Sequence, residues 1–420
     1  MTTATIRPNT PPGSRQPASP AAHRWPDVAA VPAGPVRALA ARLLLRRIAA
    51  RLPIRVQAPG GGMFGAGDAR SPVLRIHREG SFYRRIGAGV TGLAEGYMAG
   101  DWDSPDLVGL LTVCARQLPT LVPGPLLRMR RWYAARSPAA ERGTLEGAKT
   151  NIARHYDLSD DLFALFLDPT MTYSSAVFAR GDTLAAAQQR KIAALLDLTS
   201  VGPGSTVLEI GTGWGELALQ AAARGAQVTT LTISPAQCAK ARARIAAAGL
   251  ADRADVQLLD YRQATGSYDV ILSVEMIEAV GEPYWPAYFA TLDRLLAPGG
   301  RVGLQAITMP HDRMLATLSG HTWIHKYIFP GGQIPSLEAI LATLRKHTGL
   351  RISADFPLGH HYARTLHEWR TRFLAAAGDV GRLGFDPVFQ RMWNLYLAYS
   401  EAGFRSGYLD VHQLLLQRPS

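Results

Sequence analysis

Strand-like and helix-like segments alternate between residues 205 and 301. Strands are predicted at 206–210, 227–233, 256–259, 268–274 and 301–306, with helices that begin at Glu216, Pro235 and Pro286. Such alternation indicates parallel βαβ units, and a doubly wound sheet binds its ligands at the carboxyl ends of its strands. The sequence therefore predicts an α/β domain with a Rossmann-like sheet and a ligand site along that edge.

The surplus of positive charge lies before this domain. The 420 residues carry a net charge of +12, and residues 1–150 hold 21 basic and 9 acidic side chains against 24 of each in residues 151–420. The two cysteines, Cys114 and Cys238, are too few for a disulfide framework or a cysteine-bound metal site. No apolar run approaches the ~20 residues of a membrane-spanning helix. We therefore expect a cytoplasmic protein that is soluble or attached peripherally to the inner face of the membrane.

A basic helix is predicted at residues 36–55, directly after a proline-rich stretch at residues 1–35 that we expect to form a disordered tail. Its apolar residues at helical spacing are Val36, Leu39, Ala40, Leu43 and Leu44, and six arginines accompany them. Two interpretations stay open. The helix either docks on its own domain with a solvated charged face, or it is attracted to anionic lipid at ~1 kcal/mol per arginine. Nucleic acid ranks lower, because no RNA-binding motif or helix-turn-helix pattern accompanies the charge.

The first strand of the alternating region runs into the glycine-rich turn EIGTGWG at residues 209–215. A dinucleotide fold requires G-x-G-x-x-G and an acid near the end of the second strand, whereas here the spacing is G-x-G-x-G and residues 228–234 contain no acid. Nicotinamide cofactors are therefore disfavoured. Asp260 can accept a hydrogen bond from an adenine amino group, and Glu209 can face the amino end of a methionine-like tail. This pattern is similar to that of class I S-adenosylmethionine-dependent methyltransferases; alternatively, both acids are ordinary strand-end caps.

Seven segments, in order along the chain, carry a more specific resemblance. They are HYDLSDDLFALFLDPTMTYSSAVF at 155–178, LEIGTGWGELA at 208–218, LTISPAQ at 231–237, DYR at 260–262, SVEMIEAVG at 273–281, HKYIFPGG at 325–332 and HYARTLHEWRTRF at 361–373. The chain thus resembles the cyclopropane-fatty-acid synthase family, which includes the mycolic acid cyclopropane synthases. The resemblance implies a class I methyltransferase catalytic domain at residues 146–420. It also implies a smaller N-terminal lipid-binding and dimerisation domain, with its linker, at residues 36–145.

The resemblance assigns residues to two parts of a site. The implied S-adenosylmethionine-binding residues are Tyr173, Ser174, Glu209, Gly211, Gly213, Thr232, Ile233, Gln237, Asp260 and Tyr261. In the family a bicarbonate ion acts as base, and the positions of its pocket read Ser175, Glu278, Gln305, Ile307 and Tyr362 here. Ser175 and Gln305 stand where the family has Cys and His, so two titratable groups are missing.

A second carboxylate, Glu275, precedes Glu278 by three residues. On a helical turn this spacing would place both side chains on one face. Our hypothesis is that Glu275 supplements or replaces bicarbonate at the base site. The alternative is that Glu275 binds backbone or an edge of the cofactor.

The implied reaction is methyl transfer to the cis double bond of an oleoyl-type phospholipid chain. Loss of a proton from the added methyl group closes a cyclopropane ring, whereas after a hydride shift the same loss gives an exocyclic methylene that a reductase partner can saturate. Residues 24–35 and 396–411 look most like the actinobacterial branch that makes 10-methylene and 10-methyl chains, which favours methylene transfer. Cyclopropane formation and a non-catalytic lipid- or adenosine-binding protein are the alternatives.

Three further expectations accompany this reading. The aromatic faces of Tyr173 and Tyr362 are predicted to stabilise the carbocation. The histidine pairs at 321 and 325 and at 360 and 361 lack an H-E-x-x-H pattern, so no metal is expected. Family members dimerise through the N-terminal region, which implies a homo-oligomer.

Overall fold

The structure, a computed structural model, describes residues 21–121, 159–318 and 320–419. Residues 1–20 of the predicted tail at 1–35, and the predicted domain boundary at 145 and 146, lie outside the described residues. Two sheets are present in the described part, a small one before residue 121 and a large one after residue 205.

The small sheet has the strand order β2-β1-β3-β4 and is flanked by helices. Its strands are β1 (Arg55–Gln57), β2 (Met63–Phe64), β3 (Val73–Ile76) and β4 (Trp102–Asp103). The helices are α1 (Pro26–Ala29), α2 (Pro35–Ala49), α3 (Glu79–Ile86), α4 (Val90–Ala99) and α5 (Leu107–Leu121). The predicted basic helix thus ends at Ala49 rather than at residue 55. Pro53 accounts for the early end, because a proline disfavours helical backbone at the residue before it and in its own turn.

The large sheet contains seven strands in the order β10-β11-β9-β8-β5-β6-β7. They are β5 (Thr206–Ile210), β6 (Gln227–Thr232), β7 (Ala254–Leu258), β8 (Tyr268–Val274), β9 (Leu296–Thr308), β10 (Arg351–Pro357) and β11 (Asp410–Gln417). Strand β11 runs antiparallel to both of its neighbours, and the other adjacent pairs are parallel. The chain proceeds outward from β5 to β7 and returns to β8 on the other side of β5, which creates a switch point between β5 and β8. The predicted doubly wound α/β sheet is confirmed.

Twelve α-helices of the described residues belong to this second unit. They are α6 (Asp160–Ala164), α7 (Leu184–Leu198), α8 (Glu216–Ala223), α9 (Pro235–Ala247), α10 (Ile277–Val280), α11 (Trp285–Leu295), α12 (His311–Thr317), α13 (Trp323–Tyr327), α14 (Leu337–His347), α15 (Gly359–Ala375), α16 (Ala377–Arg382) and α17 (Pro387–Arg405). Local sequence sets several starts: the Ser234 hydroxyl accepts from the Gln237 amide and Pro235 occupies the first turn of α9, while Asp386 and Pro387 do the same for α17.

The two units share one apolar core. Arg391 of α17 donates to the backbone oxygens of Tyr97 at 2.5 Å and Trp102 at 2.9 Å. On α13, Lys326 Nζ lies 2.7 Å from Glu95 Oε1, and the Trp323 indole donates to the sulfur of Met98 at 3.2 Å. The segment GYMAGDW at 96–102 therefore forms the face that joins the first unit to the second unit.

From residue 21 onward the structure differs from the predicted disordered tail. Val28 of α1 is fully buried, and the Trp25 indole donates to Asp386 Oδ2 at 2.8 Å. The composition of this stretch cannot form a core by itself, but the stretch gains its stability by packing onto the rest of the chain. Among the described helices, none is both long and apolar enough to cross a membrane.

Candidate active site

One cavity lies at the carboxyl ends of β5, β6 and β8, beside the switch point of the sheet. All ten residues that the sequence assigns to the cofactor line it, namely Tyr173, Ser174, Glu209, Gly211, Gly213, Thr232, Ile233, Gln237, Asp260 and Tyr261. They come from four separate stretches of the chain. The structure thus brings the whole predicted set to one place.

The glycine turn after β5 shapes the floor of this cavity. Gly211 has φ +97°, and a Cβ at this position would lie 2.7 Å from Cγ of Met276, so only glycine fits. Gly213 also has positive φ, at +51°, but no other residue approaches the place of its missing Cβ within 4 Å. The backbone at Gly213 is therefore open to close approach by a ligand, as a cofactor cradle requires.

A buried cation that the sequence analysis missed lies between the acids of this cavity. Lys191 of α7 is 1% exposed, and its Nζ donates to Ser174 Oγ at 2.9 Å. Burial lowers the pKa of Lys191 to about 8, although Glu275 and Glu209 act in the opposite direction. Burial likewise raises the pKa of Glu209 to about 8, while Thr230 donates to that carboxylate at 2.5 Å. Two polar residues, Gln188 and Lys191, in the largely apolar buried stripe of α7 were the signal that could have revealed this group.

The acid after the third strand has a structural contact as well as a place in the cavity. Both oxygens of Asp260 accept from the Arg262 guanidinium, at 2.8 and 2.7 Å, and one also accepts from the Arg262 amide. Asp260 therefore caps the turn Tyr261–Gln263. Thr232 and Gln237 are joined by a side-chain hydrogen bond of 3.0 Å. Asp260 can cap this turn and also accept a hydrogen bond from a ligand in the cavity, because a carboxylate has about four lone-pair sites.

The predicted base pocket is assembled around Glu275. Its Oε1 accepts from the Ser175 amide at 2.9 Å and from Gln305 Nε2 at 2.9 Å, and its Oε2 accepts from the Tyr362 hydroxyl at 2.7 Å. Burial raises the pKa of Glu275, and these three donors with Lys191 oppose the rise. Four segments that are far apart in the chain therefore meet at one carboxylate.

Glu278 lies next to Glu275 and has a different environment. Its Oε1 accepts from the Ile307 amide at 2.5 Å, and its buried Oε2 has no hydrogen-bond partner. Burial and the neighbouring Glu275 raise the pKa of Glu278 to about 8. Glu275 therefore has more donors to its charged form than Glu278, and Glu278 is largely protonated at neutral pH.

The expectation that the two carboxylates share one face of a helical turn needs correction. Glu275 precedes α10 with φ +52°, whereas Glu278 lies within that helix. The left-handed backbone at Glu275 redirects its side chain toward Ser175 and Tyr362. Such a conformation is strained for a residue with a Cβ, and the three hydrogen bonds to its carboxylate hold it in place.

A bicarbonate ion does not fit the pocket as the structure has it. The donors that would face it are the Ser175 amide, Gln305 and Tyr362, and all three are directed at Glu275. A carboxylate and a bicarbonate present similar planar oxygens to such donors. The pocket therefore already contains the group that these donors require.

Aromatic rings enclose the region beside Tyr173 and Tyr362. Trp369 of α15 stacks on Tyr173 with ring centroids 5.1 Å apart and meets Tyr362 edge-on at 6.1 Å. The ring centroids of Phe404 and Tyr362 are 4.5 Å apart. Trp369 was not among the aromatic residues that the sequence singled out, although its seven-residue spacing from Tyr362 places both on one helix face.

The histidine pairs have structural contacts. His325 caps the start of α13 through Thr322 and approaches the Gly332 oxygen at 2.8 Å, and His361 Nδ1 accepts from the Phe178 amide at 3.2 Å. Within the described ranges, no group of three or more potential metal-ligating side chains is found.

The strand order, the glycine turn after the first strand and the cavity at the switch point define a class I S-adenosylmethionine-dependent methyltransferase. The family model for mycolic acid cyclopropane synthetase matches residues 144–414. The chain belongs to this family.

Individual relatives agree with this assignment. The tuberculostearic acid methyltransferase UfaA1 of Mycobacterium tuberculosis is 53% identical over 407 residues, which cover 94% of this chain and 95% of that protein. The cyclopropane-fatty-acyl-phospholipid synthase of Escherichia coli strain K12 is 33% identical over 352 residues, which cover 82% and 87%. Among solved structures, mycolic acid cyclopropane synthase CmaA1 in complex with SAH and CTAB matches with a TM-score of 0.60 and 33% identity, covering 64% of this chain and 98% of that one. The non-catalytic alternative is thereby not supported.

Proposed function

We propose that this protein transfers a methylene unit to the cis double bond of oleoyl-type phospholipid chains and gives a 10-methylene product. The higher identity to a tuberculostearic acid methyltransferase than to a cyclopropane-fatty-acyl-phospholipid synthase supports this product over the ring. The single structural observation that carries the proposal is the carboxylate of Glu275, which lines the cofactor cavity and is held by three donors.

The ten cavity residues would hold the cofactor with its reactive end toward Tyr173 and Glu275. When bound, S-adenosylmethionine supplies an electrophilic methyl group. Attack by the alkene on that methyl would break the methyl–sulfur bond, release S-adenosylhomocysteine and leave a carbocation on the neighbouring carbon. The rings of Tyr173, Tyr362 and Trp369 would stabilise this cation without forming a bond. A hydride shift then moves the positive charge to the carbon that bears the new methyl. Loss of a methyl proton gives the exocyclic methylene.

Glu275 accepts that proton in our proposal. Its three hydrogen bonds occupy three of about four lone-pair sites of a carboxylate, which leaves one site on Oε2 for a proton. Burial raises the pKa of Glu275, which makes the group a stronger base than an exposed carboxylate. Glu278, largely protonated, limits the pair to one negative charge and holds the Ile307 backbone.

The experiment that tests this function is incubation with isotopically labelled S-adenosylmethionine and vesicles of oleoyl phospholipid, followed by analysis of the acyl chains. We expect a mass gain of one CH2 and proton NMR signals of an exocyclic methylene. Ring-proton signals with the same mass gain would support cyclopropane formation instead. No mass gain with folded, cofactor-binding protein would contradict both. If the product is the methylene, a separate reductase must add hydrogen to reach a methyl branch.

We further propose that α2 attaches the protein to an anionic membrane surface. The helix packs on its own unit through Ala38, Ala41, Leu45, Ile48 and Ala49, which are buried or half-buried. The stripe predicted from sequence instead faces outward: Val36, Leu39, Leu43 and Leu44 are 79%, 60%, 61% and 58% exposed. Exposed leucines between arginines are typical of an interfacial helix that inserts its apolar face among lipid headgroups.

Vesicle binding tests the attachment. Replacing Arg37, Arg42, Arg46 and Arg51 by Gln should weaken binding to anionic vesicles at least about tenfold and reduce its salt dependence. Replacing Leu39 and Leu43 by Ser should weaken binding while the salt dependence stays. Matched controls are Leu258→Ser with Leu374→Ser, exposed leucines elsewhere, which should leave binding unchanged. Equal vesicle binding by all variants would reject the role of α2. If the protein forms dimers in the absence of vesicles, and the substitutions at Leu39 and Leu43 abolish them, the exposed leucines of α2 form a dimer interface instead.

A further inference from the structure

Two buried amide side chains form a chain of hydrogen bonds behind Glu275. Gln305 on β9 and Gln413 on β11 are register partners in this antiparallel pair, and they are 0% and 3% exposed. Gln413 Nε2 lies 3.0 Å from Gln305 Oε1 and 3.2 Å from the backbone oxygen of Lys191. Gln305 Nε2 in turn donates to Glu275 Oε1 at 2.9 Å. Helix α7 is thereby connected to Glu275 through two consecutive amides.

Only one orientation of these amides satisfies every group. The backbone oxygens of Lys191 and Ser175 are acceptors, so the NH2 group of Gln413 must face Lys191 and that of Gln305 must face Ser175, 3.3 Å away. Gln305 Oε1 then faces the NH2 group of Gln413. Reversing the Gln305 amide would set its oxygen against the carboxylate of Glu275 and leave buried donors facing each other, which is costly at a buried site.

We infer that Gln413 is a positioning residue for the reaction, because it fixes the Gln305 amide with its donor toward Glu275 and keeps that carboxylate an acceptor. The inference rests on the proposed function, in which Glu275 is the base. Gln413 is outside the cavity lining and reaches Glu275 through the Gln305 amide. The family resemblance implies a histidine at position 305. The glutamine amide that this chain has there can adopt two orientations, so it requires a partner such as Gln413 to fix one of them.

Several groups around Glu275 set the direction of the expected pH effect. Lys191 on α7 and the Tyr362 hydroxyl on α15 favour its ionised form, and the charge of Glu275 raises the pKa of Glu278 on α10. Glu209 on β5 acts on the same lysine. Without Gln413, the Gln305 oxygen loses its donor, so the Gln305 amide is held less firmly against Ser175 and Glu275. A weakened donor raises the pKa of a carboxylate. A base with a higher pKa becomes active only at higher pH.

The test compares the pH profile of turnover for the full chain and for Gln413→Met, with labelled cofactor and oleoyl phospholipid vesicles. We expect turnover to fall about tenfold near pH 6 and to recover at about pH 9, so that the acid limb moves up by about one pH unit. Cofactor affinity should stay within about twofold. Thr291→Val is the matched control: it removes a part-buried hydrogen bond to the Ala287 oxygen on α11, outside the cavity lining, and should leave the profile unchanged.

Three outcomes separate the roles. A loss of turnover that is equal at all pH values would mean a merely structural role and would overturn the inference. If Glu275→Gln keeps the native acid limb, the proposed base is wrong and the inference falls with it. If Glu275→Gln removes the acid limb of the pH profile, and Gln413→Met leaves that limb at its native pH, only the role of Gln413 is overturned. Should Gln413→Met fail to fold, Gln413→Asn keeps the amide on a shorter side chain, and a smaller shift of the limb is expected.

Discussion

The cofactor half and the base half of this site are built in different ways. The cofactor half is made largely by backbone: a glycine turn after β5, open at Gly213, and the ends of neighbouring parallel strands. The base half is made by side chains from distant segments that converge on Glu275. A backbone cradle depends on few residue identities, whereas a hydrogen-bonded cluster depends on each of its members.

The base half keeps a central anion although two of its residues differ from those that the family resemblance implies. Ser175 and Gln305 differ from the Cys and His that the resemblance implies, yet both still contact a central anion, because Glu275 supplies the carboxylate within the chain. Substitutions in the base half therefore test the proposed reaction of this chain most directly.

The largest effect is expected for Glu275→Gln. The change removes the proton acceptor but keeps the size of the side chain, so turnover should fall about 10³-fold, in the range of a lost general base. Cofactor binding should survive, because Glu275 touches only one end of the cavity. Turnover and cofactor affinity, measured separately by product analysis and titration calorimetry, check this. Glu282→Gln, an exposed acid in the turn Glu282–Tyr284, is the control; near-native turnover of Glu275→Gln would remove it from the base role.

Most of the fold and the cofactor half could be predicted from the sequence. The predicted strands at 206–210 and 268–274 match β5 and β8 to the residue, because apolar runs between turn signals identify buried parallel strands well. Glycine spacing likewise located the turn, since positive φ at Gly211 and Gly213 restricts the residue type. These features depend on residues that are close together in the sequence.

The base half could be predicted only in part, because its contacts are not local. Sequence named Glu275 but could not show that its backbone is left-handed or that Tyr362 donates to it. Lys191 and Gln413 were missed, since a buried polar residue on an apolar helix or strand face shows its partner only after folding. The outward stripe of α2 was also undecidable, because two different faces of that helix are apolar.

A second prediction concerns the backbone of the cofactor half. Gly211→Ala adds a Cβ within 2.7 Å of Met276 at a φ of +97°, and we expect cofactor affinity to fall about tenfold or more. Gly204→Ala is a matched control, because Gly204 has φ +83° with open space around it and lies at the far end of β5. Both variants should lose a similar amount of stability from strain. A comparable loss of cofactor affinity in the control would show that strain alone, and not the shape of the cradle, causes the effect.

A third prediction joins the two halves through Lys191. Lys191→Met removes the cation that favours ionised Glu275, so the pKa of Glu275 should rise and the acid limb of turnover should move upward by about one pH unit. Glu209 loses the same neighbour, so cofactor affinity should also become more dependent on pH. Lys240→Met, which removes a lysine paired with Asp160 on the surface, is the control. If the acid limb of the pH profile does not shift in Lys191→Met, the charge of Lys191 does not couple the cofactor half to the base half.

The smallest expected effect is obtained by removing bicarbonate from the assay. The donors that would hold the ion already bind Glu275, so turnover in degassed, bicarbonate-free buffer should stay within about twofold of its value with bicarbonate. Glu275→Ala should behave differently, because the same donors would then surround a space of carboxylate size. Added bicarbonate or formate should partly restore turnover in this variant but leave Glu275→Gln unaffected, whose amide still fills the space. A native enzyme that requires bicarbonate would instead mean that Glu275 supports the ion rather than replaces it.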